Sequence, residues 1–161
     1  MKLKEFSLLP YNSPHFIVSH SIKEIRGTND EFRLYLSGDY FIIQDFGYLP
    51  NGDELTDQQE LPNEAASWIL DRIENGFRKS SDEGGLPPGV MRDTTTINDE
   101  TIHIRYTLCA GGDGVDGITI ISQDRKSHIN ERNMQESVIP SQVLDETLIP
   151  FLRTISARLK P

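Results

Sequence analysis

The chain has 161 residues, 36% hydrophobic and 25% charged, with seven Phe, five Tyr and one Trp, so it carries the apolar material for a core and is not a disordered segment. Its formal net charge of −9 works against phosphate backbones and anionic lipid, and its single cysteine, Cys109, excludes an internal disulfide and a multi-cysteine zinc site. This length suits one domain over 1–161.

The apolar stretch Phe6 to Leu9 is ended by Pro10, too short for a secretory core, and no run approaches the roughly 18 apolar residues of a membrane helix. No Asn-X-Ser/Thr acceptor occurs either. These features read as a cytoplasmic address.

In chain order, Pro14 to His20 alternates and reads as a strand, and Arg26 to Asp30, with Gly27, Asn29 and Asp30, reads as a turn. Glu31 to Leu36 sets Phe32, Leu34 and Leu36 on one face and Arg33 and Tyr35 on the other. Ser37-Gly38-Asp39 links it to the β-branched and aromatic run Tyr40 to Phe46, which predicts a hairpin. Gly47 and the cluster Pro50-Asn51-Gly52-Asp53 then break the sheet.

Asn63 stands as a helix cap, and Ala66, Ile69, Leu70, Ile73 and Phe77 recur at spacings of three and four, so Glu64 to Phe77 reads as an amphipathic helix. Ser80 to Gly89 is a loop. Val90 to Ile97 is extended and Thr-rich, and Asn98-Asp99-Glu100 turns the chain. Thr101 to Cys109 then alternates Ile102, Ile104, Tyr106 and Leu108 against His103, Arg105, Thr107 and Cys109. After a glycine-rich tip, Ile118 to Ser122 is a further strand.

From Ser141 onward, Leu144, Leu148, Phe151, Leu152, Ile155 and Leu159 form a helical stripe, with acids near its start and bases near its end. Pro150 inside it predicts a kink or two consecutive helices. The order is three strands and a helix, twice over. The expected fold is α+β: antiparallel β-hairpins packed against a central and a C-terminal helix as a two-layer sandwich.

The segment Ala110 to Gly117 is glycine-rich, but a β-branched run follows it where a phosphate cradle needs a helix N-terminus, so it reads as a hairpin tip. His15, His20, His103 and His128 show no metal-ligand spacing, and no cofactor is expected. Cys109 is a lone strand cysteine without a catalytic signature and reads as inert.

Charge is the more informative feature. Between Asn51 and Glu100 twelve acids stand against four bases. That stretch predicts a non-catalytic protein-binding module, an adaptor, chaperone or immunity-type protein, that meets a basic partner through Asp53, Glu54, Asp57, Glu60 and Tyr48. The alternative expectation is a small enzyme or ligand-binding protein built on the row His103, Arg105 and Thr107, with Asp45 or Asp116 folded beside it.

Overall fold

The computed structural model describes residues 3–23, 29–110 and 115–159, with backbone alone at 22–23 and 29–30. Each half of the chain is an antiparallel meander of four strands followed by helix. In the first half these are β1 (Phe16–Lys23), β2 (Asn29–Ser37), β3 (Tyr40–Tyr48) and β4 (Glu54–Pro62), leading into α1 (Ala65–Asp71). In the second they are β5 (Arg92–Ile97), β6 (Glu100–Thr107), β7 (Gly117–Lys126) and β8 (Met134–Pro140), leading into α2 (Ser141–Val143) and α3 (Ile149–Leu159). The expected α+β architecture is present, but each half has four strands where three were expected. Neither β4 nor β8 was anticipated. The expected turn at 26–28 and the glycines at 111–114 lie outside the described residues, while Asn29 and Asp30 already belong to β2.

One apolar cluster fills the space between the sheets and the helices. It takes Phe32 and Leu34 from β2, Phe41 and Ile43 from β3, Ile102 and Ile104 from β6, and Ile118 and Ile120 from β7. Ile69 and Ile73 meet them from the first helix, and Leu148, Leu152 and Ile155 from the last. Period-two and helical spacing therefore converge on one interior. At the β5–β6 turn, Asn98 and Asp99 adopt φ of 51° and 64°, the left-handed pair that a two-residue hairpin requires.

Asn63 does not cap α1 with its side chain. Its Nδ2 donates instead to Gly38 O at 3.0 Å, and its backbone N–H to Asp39 O at 2.8 Å, which ties the start of α1 to the β2–β3 turn. Both helices contain a widened, π-helical turn: Arg72–Phe77 continues α1, and Leu144–Leu148 joins α2 to α3. The second explains Pro150. The Ile149 N–H bonds back to Leu144 O, five residues away, and this wider turn accommodates a ring whose nitrogen has no proton for the ladder. The helical path thus continues through Pro150 without ending.

Sheet order is β1-β2-β3-β4 and β5-β6-β7-β8, and β4 lies against β8 with no ladder between them. Side chains join the sheets instead. Gln59 Nε2 donates to Ile120 O at 3.1 Å and to Ser122 Oγ at 3.0 Å, and the Glu60 N–H donates to Gln135 Oε1 at 3.0 Å. Residues 3–13 cross the outer face of the first sheet, the face turned from the helices, without pairing as a strand. Among the described residues no helix is long and apolar enough to cross a membrane.

Candidate functional site

Tyr48, Asp53 and Glu54 come together because β3 and β4 are joined by a tight turn. Leu49 N–H bonds to Asp53 O at 2.8 Å and Gly52 N–H to Leu49 O at 2.8 Å, with Gly52 at φ 89°. Asn51 braces the turn, donating from Nδ2 to Asp53 Oδ2 and accepting the Asp53 N–H at Oδ1, both at 3.0 Å. The tip leaves Tyr48, Leu49 and Leu55 exposed by 47%, 39% and 37%, beside exposed Asp53 and Glu54. Neither acid forms an ion pair among the described residues. Phe46 supports the tip from behind, edge-on to Tyr48 at 5.4 Å and under the Arg33 guanidinium at 4.3 Å.

The other two acids of the expected partner set lie elsewhere. Asp57 is half-buried, and burial pushes its carboxyl above its ordinary value, with Glu136 and Glu60 adding to the rise and the Gln58 N–H and His128 opposing it. Glu60 is inside the molecule. Its carboxylate accepts from Gln135 Nε2 at 3.0 Å and Gln58 Nε2 at 3.3 Å, and meets His128 Nε2 at 2.9 Å and Arg125 Nη1 at 3.8 Å.

Arg125 connects this carboxylate to a second buried one. Its Nε donates to Glu100 Oε1 at 2.5 Å, and Tyr40 OH donates to Glu100 Oε2 at 2.8 Å. Burial pulls Arg125 down, but the bond and charge of Glu100, with Glu60 beyond it, hold it above its ordinary value. Burial first, then the Glu100 bond, raises Tyr40 as well. Arg125, Glu100 and Glu60 are buried, so their pairing holds the seam together while exposing little charge to a substrate. No sequence signal pointed to this cluster, whose members come from β3, β4, β6, β7, the turn after β7, and β8.

The five residues of the alternative site do not converge. His103 bonds Thr94 Oγ1 at 2.7 Å through Nδ1 and Gln123 Oε1 at 2.6 Å through Nε2, on the outer side of the second sheet. Arg105 is exposed beside it, and Thr107 Oγ1 pairs with Thr119 Oγ1 at 2.6 Å. Asp45 belongs to the other sheet, opposite Asp57 in register. Asp116 sits by the opposite face of β6, where Tyr106 OH donates to Oδ2 at 2.5 Å and Ser141 Oγ to Oδ1 at 3.2 Å. The Tyr106 bond, followed by the Ser141 bond, holds Asp116 below its ordinary value.

Around Asp116 lies a cleft of about 520 Å³, with Ile73, Ile118 and Leu144 as apolar lining and Phe77, Tyr106 and the Arg78–Asp145 ion pair beside them. It opens between the two π-helical turns. Cys109 is exposed and free. Among the described residues no three His, Cys, Asp or Glu side chains are grouped as metal ligands. No protein family matches the chain, and no curated protein matches it in sequence.

Proposed function

We propose that this protein is a non-catalytic binding module that docks a basic protein partner on the tip of the β3–β4 hairpin. The observation that carries the reading is the grouping of exposed Tyr48, Leu49 and Leu55 with Asp53 and Glu54, acids that have no basic neighbour in ion-pair range among the described residues. An aromatic anchor with two aliphatic neighbours supplies area to desolvate, and unneutralised acids at the rim speed the encounter with a cation-rich surface. Glu60 has no part in this surface, and Asp57 stands at its margin. A cytoplasmic setting fits the free thiol of Cys109.

The test is affinity purification of the tagged chain from its native lysate at low and high salt, alongside the double reversal Asp53→Lys/Glu54→Lys. One stoichiometric basic protein should be recovered at low salt, released at high salt, and lost with the reversal. Recovery that ignores both the salt and the reversal, or recovery of no stoichiometric protein, would refute the hairpin as a docking site.

A further inference from the structure

Both π-helical turns line the cleft around Asp116. The first, Arg72–Phe77, supplies Ile73 and Phe77, and the second, Leu144–Leu148, supplies Leu144. The second turn accommodates Pro150, but no proline stands in or just after the first, where the Arg78 N–H bonds to Ile73 O at 3.0 Å, five residues back. Such widened turns are rare within helices and gather at functional sites. Phe77, the last residue of that turn, meets Tyr106 of β6 with ring centres 6.5 Å apart and planes at 48°.

The cleft has the make-up of a small-molecule site. Its volume of about 520 Å³ lies within the roughly 300–1,000 Å³ of such pockets. Ile73, Ile118 and Leu144 give it an apolar lining from the buried core, and Phe77 and Tyr106 add aromatic surface. Its charges are unevenly paired. Arg78 and Asp145 neutralise one another, whereas Asp116 has two hydroxyl donors, Tyr106 OH at 2.5 Å and Ser141 Oγ at 3.2 Å, and no cation in ion-pair range among the described residues. The two hydroxyls hold the carboxylate in place, one on each oxygen, and leave each oxygen a further lone pair for another donor. A fixed anion beside apolar side chains and aromatic rings is complementary to an ammonium group on an apolar body, while a neutral or anionic ligand would leave the carboxylate uncompensated.

We propose that this cleft binds a small organic cation, a primary ammonium carried on an apolar or aromatic body, with the ammonium on Asp116 and the body against Ile73, Ile118 and Leu144. The site shares no residue with the hairpin tip, and each can fail without the other.

The test uses the full chain with its isoleucine methyl groups labelled for NMR, titrated with phenethylamine, with 2-phenylethanol as the neutral control and 3-phenylpropanoate as the anionic one. The Ile73 and Ile118 methyl signals should shift saturably, with the amine binding about fivefold more tightly than the alcohol and the propanoate most weakly. Asp116→Asn, which keeps an acceptor for Tyr106 but loses the charge, should remove the advantage of the amine over the alcohol. Glu131→Gln, which removes an exposed acid from the turn after β7, should leave it intact. Unmoved Ile73 and Ile118 signals, an amine no tighter than the alcohol, or equal weakening by the two substitutions overturns the site, the last by reducing it to general attraction toward an acidic surface. If Asp116→Asn does not fold, the order of the three probes on the unchanged chain decides, and a propanoate that binds as well as the amine overturns the proposal.

Discussion

The Glu60 N–H of β4 donates to Gln135 Oε1 of β8 at 3.0 Å, and Gln135 Nε2 returns a bond of the same length to Glu60 Oε1. One side chain thus serves both the backbone and the carboxylate of its neighbour, at a boundary where the sheets share no ladder. Gln135→Leu leaves a buried amide and a buried carboxylate each short of a partner. The expected loss is about 2–4 kcal/mol, read as a lower urea midpoint at an unchanged slope.

Arg125→Met removes the one guanidinium among the described residues that reaches Glu100 and Glu60. A buried carboxylate left without its cation costs about 3–5 kcal/mol, a large share of a typical domain's stability. Adding Glu100→Leu should recover part of that loss, because the pair is then replaced by apolar groups. Urea denaturation of the single and double variants checks both steps, and a double variant no more stable than the single one contradicts this account.

Asp57 gives a pH signature of definite sign. Its folded value is raised above the ordinary 3.8, so the folded chain retains this proton to higher pH than the unfolded chain does. The stability contributed by the group is therefore present below the ordinary value and lost as pH climbs through the raised one. Asp57→Asn should be more stable than the parent at neutral pH and lose that advantage in acid. Urea midpoints measured across the acid range test the crossing.

At the hairpin tip the effects should separate. Tyr48→Ala removes an exposed ring, so stability should change by no more than about 0.5 kcal/mol. Binding of the basic partner should weaken by about 2 kcal/mol, roughly 30-fold, if Tyr48 is the anchor of that surface. Calorimetric titration beside thermal melting measures the two independently.

Strands β2, β3, β6 and β7 were legible because each has a face of Phe, Ile or Leu at a spacing of two. Strands β4 and β8 were not, and the cause is physical: Gln58, Gln59, Glu60 and Gln135 are buried by bonding across the seam and beneath the N-terminal segment, where neighbouring strands bury apolar groups. Read alone, such residues look like a solvated loop. The same blindness affected the site. Asp53, Glu54 and Glu60 are alike in sequence as acids of one segment, and only partners 65 to 75 positions away, Arg125, His128 and Gln135, draw Glu60 inside. The polar row on β6 was read with the correct alternation, but its proposed carboxylates lie on another sheet and another face. Pro150 was singled out as the site of a kink or of two consecutive helices, and the structure places a widened, π-helical turn between α2 and α3 just before it.

The bond between Lys4 O and Arg125 joins positions 121 apart in sequence. Lys4 leaves the ribosome long before its guanidinium clasp does, so this bond closes only after Arg125 has been made. Gln44 and Gln58 can hold Leu9 and Ser7 within the first half, whereas the Lys4 carbonyl waits for the second sheet to supply its donor. Long-range closure of this kind slows folding.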